Sequence, residues 1–185
     1  MTSKLFEPFD AKGLHFKNRI IHEPTTLNLS DPQGYATRRL AAAYGSLAAG
    51  GYGAVIVGAT CVRRDGLINE RMLGLYDEDY VIEFRDTVAE IKNNGSLAGI
   101  QLFYGGLIPG LGTTVPLEPG KGWIPGTVAW GPSNAYVIGN ASSGVVPTEE
   151  YDDIVECFAQ AGRRAKEAGF DFLSFHFCHG SLPHT

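Results

Sequence analysis

The sequence predicts an α/β protein built on a parallel sheet that closes as a (β/α)8 barrel. Three observations predict it. Apolar runs too short for helices, such as Ala54–Val57 and Leu97–Phe103, alternate with amphipathic runs of helical length, and that alternation calls for parallel strands joined by helical crossovers. The strands are continuously apolar, the pattern of strands covered on both faces. Polar residues stand at the strand ends, in Pro24-Thr25-Thr26, Ala59-Thr60, Gln101 and His176, and barrels carry their chemistry at the C-terminal rim of their strands. The competing closure is an open doubly wound sheet, which lacks its main signature here because no GxGxxG follows the first strand.

The elements follow in order. Phe9–Asn18 reads as a small hairpin with Gly13 at its turn. Ile20-Ile21 begins a strand that Pro24 should end, since proline donates no ladder hydrogen bond. Ala36–Ala49, rich in Ala and Leu and closed by Gly50-Gly51, is a helix with a glycine stop. Ala54–Val57 is a buried strand. Asp77–Asn93 sets Val81, Phe84, Val88 and Ile91 at spacings of three and four, one face of a helix that Asn94-Gly95 terminates. Leu97–Phe103 is the next strand. The segment 105–146 holds most of the Pro and Gly, with Trp123, Trp130 and Tyr136, and is expected to form either a lid or small hairpin over the barrel mouth or a surface excursion pinned by its aromatic residues. Pro147-Thr148-Glu149-Glu150 opens a third helix with Thr148 as N-cap and two acids facing the helix dipole, and the helix runs to Ala168-Gly169. Phe172–Phe177 is the following strand.

Composition bounds the function. At 185 residues, 44% hydrophobic and 19% charged, the chain suffices for one domain with a sizeable core. A formal net charge of −5 leaves no basic footprint, which argues against nucleic acid as a partner. No apolar stretch approaches the roughly 20 residues that cross a bilayer, and the first residues lack the regions of a signal peptide. Cys61, Cys157 and Cys178 are odd in number and widely spaced. They form neither a disulfide framework nor a CxxC knuckle, and a reducing cytoplasm is expected.

The densest chemistry is His176-Phe-Cys-His179-Gly180, after the last strand. Imidazoles suit a ligand better than a core, because their ring nitrogens need partners; the alternative is two structural histidines bonded to backbone. A metal set from His176, Cys178, His179 and His184 is not expected. In a strand, residues 176 and 178 point one way and 179 the other, so they cannot converge unless the chain turns. Gln101 in an apolar strand needs amide partners and points to a ligand. Thr26 is a ligand contact or a plain turn residue. Cys61 reads as a bystander thiol, Glu149, Glu150, Asp152 and Asp153 as a solvated helix start, and Asn18 and Arg19 as residues that fix the hairpin.

Six ordered pieces carry a resemblance. Leu5-Phe6-Glu-Pro8, Leu14-His-Phe-Lys-Asn18-Arg19-Ile20, Pro24-Thr-Thr26, Gly99-Ile-Gln101-Leu102, Gly131-Pro-Ser133, and Gly169-Phe-Asp followed by His176-Phe-Cys-His179-Gly180 resemble the old yellow enzyme family of FMN-dependent NAD(P)H:flavin oxidoreductases. The resemblance implies a (β/α)8 TIM barrel of which residues 1–185 are the N-terminal half, roughly the first four βα units plus the hairpin. It implies FMN at the C-terminal mouth and NAD(P)H as reductant. Pro24, Thr26, Ala59, Gln101 and His176 would contact the flavin, with Gln101 on its pyrimidine edge. His176 and His179 would hold the carbonyl oxygen of an enone or enoyl thioester.

Two positions depart from the family pattern. Ser181 stands where a tyrosine proton donor is usual, and Tyr104 follows the third strand where a histidine is usual nearby. Tyr104 is therefore the candidate for a catalytic proton donor or substrate contact. The expected partners are a small-molecule substrate with a carbonyl-activated alkene and, since a half barrel exposes sheet edges, a second copy of the chain. The alternatives are a half-barrel acting as a structural unit, or the first part of a larger multi-cofactor enzyme resembling dienoyl-CoA reductases and amine dehydrogenases.

Overall fold

In the computed structural model, residues 3–107, 128–133 and 144–185 are described. Most of the expected lid, including Trp123 and Tyr136, lies outside the described residues. The chain opens with a hairpin, β1 (Phe9–Ala11) and β2 (Leu14–Phe16), antiparallel around Gly13 at φ +83°. Asn18 fixes its exit: its side chain accepts from the Ile20 amide and donates to the Gly51 carbonyl at 2.7 Å.

The main sheet is parallel throughout. Its order is β3 (Ile21–Thr25), β4 (Ala54–Cys61), β6 (Leu97–Phe103), β9 (Phe172–Phe175), and the short β5 (Leu73–Gly74) pairs with the C-terminal end of β4. Among the described residues three α-helices make the crossovers: α1 (Arg38–Ala49), α2 (Asp79–Asn93) and α3 (Glu150–Ala168). Two further short strands, β7 (Trp130–Gly131) and β8 (Gly144–Val145), pair with each other. The arrangement is half of a (β/α)8 barrel. No helix among the described residues is long and apolar enough to cross a membrane.

The sheet buries residues on both faces. Toward the helices, Val55, Val57, Ile100 and Leu102 pack with Leu40, Tyr44, Phe84 and Ile91. On the other face Ala59, Cys61, Met72 and Phe103 form a smaller cluster with Leu67 and Ile68. Burial on both sides is why β4 and β6 are continuously apolar.

Four expectations change. Pro24 does not end β3, which continues to Thr25; β3 is an edge strand, and its pairing with β4 shifts register between His22 and Thr25, so the missing proline donor breaks no ladder bond. β4 continues past Val57 to Cys61, because Gly58 permits a close approach: a Cβ there would lie 2.2 Å from the Thr25 carbonyl oxygen. Thr148 is not the cap of α3; Glu149 holds that position in helical conformation without a side-chain cap bond. β9 stops at Phe175, not Phe177, because the chain turns at the histidines.

Candidate functional site

Six of the residues singled out from sequence meet at one place. A cleft of about 420 Å³ at the C-terminal ends of the strands is lined by Pro24, Thr26, Ala59, Gln101, His176 and His179. Glu23, Ile68, Phe103 and Cys178 complete it. The volume lies within the roughly 300–1,000 Å³ of small-ligand sites. A hollow of about 640 Å³ lies between α1 and α2, lined by Arg38, Ser46, Asp86 and Glu90 among others. It holds none of these residues and lies on the helical layer, away from the strand ends.

Each strand end supplies its part for a local reason. Pro24 and Thr26 flank the last residue of β3, and Ala59 follows the close approach at Gly58. Gln101 and Phe103, two apart on β6, share a face because strand side chains alternate. Gln101 is buried, and its Nε2 reaches Ser174 Oγ on β9 only at 3.5 Å, a long bond. A buried carboxamide so loosely held is suited to a polar ligand edge.

The histidines converge because the backbone turns after β9. The His176 amide still donates to the Leu102 carbonyl at 3.0 Å. His179 then adopts φ +57° and Gly180 φ +83°, and the Ser181 amide closes the turn on the Cys178 carbonyl at 3.1 Å. The left-handed conformation, uncommon for a residue other than glycine, swings the His179 ring to 5.4 Å from that of His176. Cys178 Sγ lies 3.3 Å from His179 Nδ1 and 3.5 Å from His176 Nε2. The expectation that 176, 178 and 179 diverge held only for an extended chain, and this turn removes it. Burial first, and then the neighbouring His179 and His184, lower the pKa of His176 from its ordinary 6.5. A neutral imidazole keeps one N–H donor for a ligand oxygen.

The structure places Tyr104 apart from this cleft. It is fully buried just past the end of β6, in the core packed against the helices, and its hydroxyl accepts from Arg63 Nη2 at 3.1 Å. Burial, ahead of the charge of Asp65, raises its pKa well above 10. The Ser181 hydroxyl is committed to the His176 carbonyl at 2.8 Å and buried, so it fixes the turn. Cys61 is a buried thiol, pushed up to about 12 by burial, donating to the Arg63 carbonyl.

Sequence reasoning missed the group behind the cleft. Arg63, just beyond β4, binds Asp65 at 2.7 Å and Glu150 at 2.6 Å, and its guanidinium lies over the rings of Tyr104 and Trp130. Glu150 is therefore not part of a solvated helix start. No sequence signal joins residues 87 positions apart. Phe103 was within reach, since the alternation that exposes Gln101 to the cleft carries Phe103 with it.

Comparison with known proteins gives a consistent picture. The model of the NADH:flavin oxidoreductase / NADH oxidase family matches residues 4–185. An NADPH dehydrogenase of Listeria welshimeri is 35% identical over 98% of this chain and 50% of its own length. Among solved structures, 2-naphthoyl-CoA reductase in complex with 2-naphthoyl-CoA superposes at a TM-score of 0.83, with 19% identity, over 97% of this chain and 28% of its own. The old yellow enzyme homologue from Zymomonas mobilis gives 0.78 and 21%, over 97% of this chain and 50% of its own. The chain spans about half the length of the relatives it matches in sequence.

Proposed function

The chain belongs to the NADH:flavin oxidoreductase / NADH oxidase family, and on that premise we propose that it forms the N-terminal half of an FMN-dependent oxidoreductase acting on a carbonyl-activated alkene with NAD(P)H as reductant. The observation that carries the proposal is the meeting of Thr26, Ala59, Gln101, His176 and His179 around one cleft at the strand ends.

The residues present fit a flavin ring. The loosely bonded carboxamide of Gln101 can meet both a donor and an acceptor on a heterocycle edge. Ala59 leaves room for a flat ring against the β4 backbone, and Pro24 and Thr26 border it from β3. His176, packed at 5.2 Å against the Phe103 ring, is held at the cleft wall. The chemistry such a cofactor would supply is hydride transfer, two electrons with their hydrogen, from NAD(P)H to the β-carbon of an enone or enoyl thioester, the α-carbon then taking its proton from solvent.

The chain's own residues answer the charge that the transfer creates. As the β-carbon gains electrons, negative charge develops on the carbonyl oxygen. N–H donors of His176 and His179 directed at that oxygen stabilise it, and losing one such donor typically costs about 3–4 kcal/mol. Phe103 and Ile68 keep the cleft wall apolar, which strengthens those hydrogen bonds. The reaction is assigned to the cytoplasm, a reading supported by Cys61, Cys157 and Cys178, all free thiols. Association with a second copy is supported by the exposed rings of Phe175 and Phe177 beside an edge of β9 that pairs with no further strand among the described residues.

The test is direct. The purified chain is mixed with FMN, and flavin absorbance and fluorescence are followed while NADPH and then cyclohexenone are added without oxygen. A perturbed flavin band that bleaches with NADPH and returns with the enone supports the function. A flavin that stays free in solution overturns it for this chain.

A further inference from the structure

The turn that brings the histidines together also brings a thiol between them. We propose that His176, Cys178 and His179 form a binding site for a thiophilic divalent cation of the zinc class, with one coordination position left open toward the cleft. The ligand atoms of the three residues all lie within 4.8 Å of one another. The proposal does not rest on the flavin reading.

The distances suit such an ion. Zinc takes thiolate sulfur at about 2.3 Å and imidazole nitrogen at about 2.0–2.1 Å in tetrahedral geometry, so sulfur and nitrogen on one ion stand about 3.6 Å apart. Cys178 Sγ is 3.3 Å from His179 Nδ1, and 3.5 and 3.7 Å from Nε2 and Nδ1 of His176. Because the sulfur is almost equidistant from both nitrogens of His176, a swing about χ2, a soft torsion, aims either one at the ion. One sulfur and two imidazoles are a donor set for zinc or another soft cation, and not for magnesium or calcium. Hydrogen bonding alone does not call for a thiol here, since sulfur is a weak donor and a weak acceptor.

The frame is preset. The His179 backbone is held in the left-handed region, the turn is closed by the Ser181 amide on the Cys178 carbonyl, and the Ser181 hydroxyl ties the His176 carbonyl at 2.8 Å. His184 does not join the group; its Nδ1 accepts from the Gly180 amide at 3.2 Å and braces the turn from the far side. Three protein ligands and an open fourth position are the pattern of a site that exchanges a water or a small ligand. The ion would draw on the same two imidazoles that the proposed reaction directs at a carbonyl oxygen, so loading with metal competes with gripping a substrate carbonyl.

Cobalt(II) is the spectroscopic probe and zinc(II) the calorimetric one. The whole chain, reduced and free of chelators, is titrated with Co2+ and separately with Zn2+. The expected result is one equivalent bound, with a sulfur-to-cobalt charge-transfer band in the near ultraviolet and strong visible bands of a tetrahedral site. Cys178→Ala should abolish the charge-transfer band and weaken Zn2+ binding more than roughly tenfold, because loss of an outer-shell partner alone costs about 10–100-fold. Cys157→Ala should change neither. Absence of the band in the unaltered chain overturns the proposal, whether or not the variants fold. So does Zn2+ binding that is unchanged in Cys178→Ala.

Discussion

The Tyr44 hydroxyl accepts the Gly58 amide at 2.7 Å while donating to the Thr25 carbonyl at 3.0 Å. One buried side chain on α1 thereby joins β3 and β4 where their register shifts, directly beneath Thr26 and Ala59. Burial pushes the Tyr44 pKa up to about 12, against the opposing Gly58 hydrogen bond, so the phenol stays neutral and keeps its proton for Thr25.

Tyr44→Phe removes both bonds and leaves the Gly58 amide without this partner. An unsatisfied buried donor costs about 1–3 kcal/mol, so the urea midpoint should fall by a corresponding amount. Flavin binding should weaken with it, because Thr26 and Ala59 lose their common anchor. A variant as stable as the parent would show that water replaces the hydroxyl there.

Arg63→Met breaks the contacts to Asp65, Glu150 and Tyr104 together. Splitting a fully buried pair costs roughly 3–5 kcal/mol; these side chains are a fifth to a third exposed, so about half that loss is expected on chemical unfolding. Methionine keeps much of the apolar stem, which confines the effect to the charge.

Glu78 reports acid sensitivity. Hydrogen bonds from Arg163 first and then Arg164 hold its carboxyl below the ordinary 4.5. A depressed folded pKa means that the unfolded chain binds the proton more readily. The stabilisation is therefore complete above 4.5 and is lost as pH falls through the folded value. Glu78→Gln should lower the melting temperature slightly at neutral pH and make no difference in acid. Glu78 and Arg163 are exposed while Arg164 is largely buried, so added salt should shrink the part of the gap that Arg163 contributes.

Gln101→Leu keeps the volume and removes the carboxamide. Under the proposed function, a flavin edge left without its partner loses about 1–3 kcal/mol, read as a weaker FMN dissociation constant with the fold intact by circular dichroism. Equal FMN affinity in the variant would remove Gln101 from the site.

Tyr104→Phe separates support from catalysis. The hydroxyl faces Arg63, away from the cleft, so turnover should be unchanged and stability lowered by about 1 kcal/mol, the net worth of one hydrogen bond. Loss of turnover without loss of stability would return Tyr104 to the role of proton donor.

Most of the scaffold and much of the cleft were legible in the chain. Apolar runs at 54 and 97, the spacing of Val81, Phe84, Val88 and Ile91, and the glycine stops are local signals, because helix and strand periods are short compared with the elements. Polar residues at strand ends were equally visible, since an amide or imidazole ending an apolar run has no packing reason to be there. The third helix shows the limit: Thr148 has the chemistry of a cap, but whether a cap forms depends on where the helix actually starts.

By itself, then, the sequence determined the order of the long strands and helices and that Thr26, Gln101 and the histidines stand at strand ends, because both follow from periodicity and from the cost of burying a polar group; it did not exclude Tyr104 from the rim or bring Phe103 to it. Tertiary structure alone decided what stands beside what. The positive φ of His179 joins Cys178 to both imidazoles, Arg63 meets Glu150, and Tyr44 reaches Gly58. The first depends on a single backbone torsion and the others on contacts between distant segments, which no run of neighbouring residues encodes.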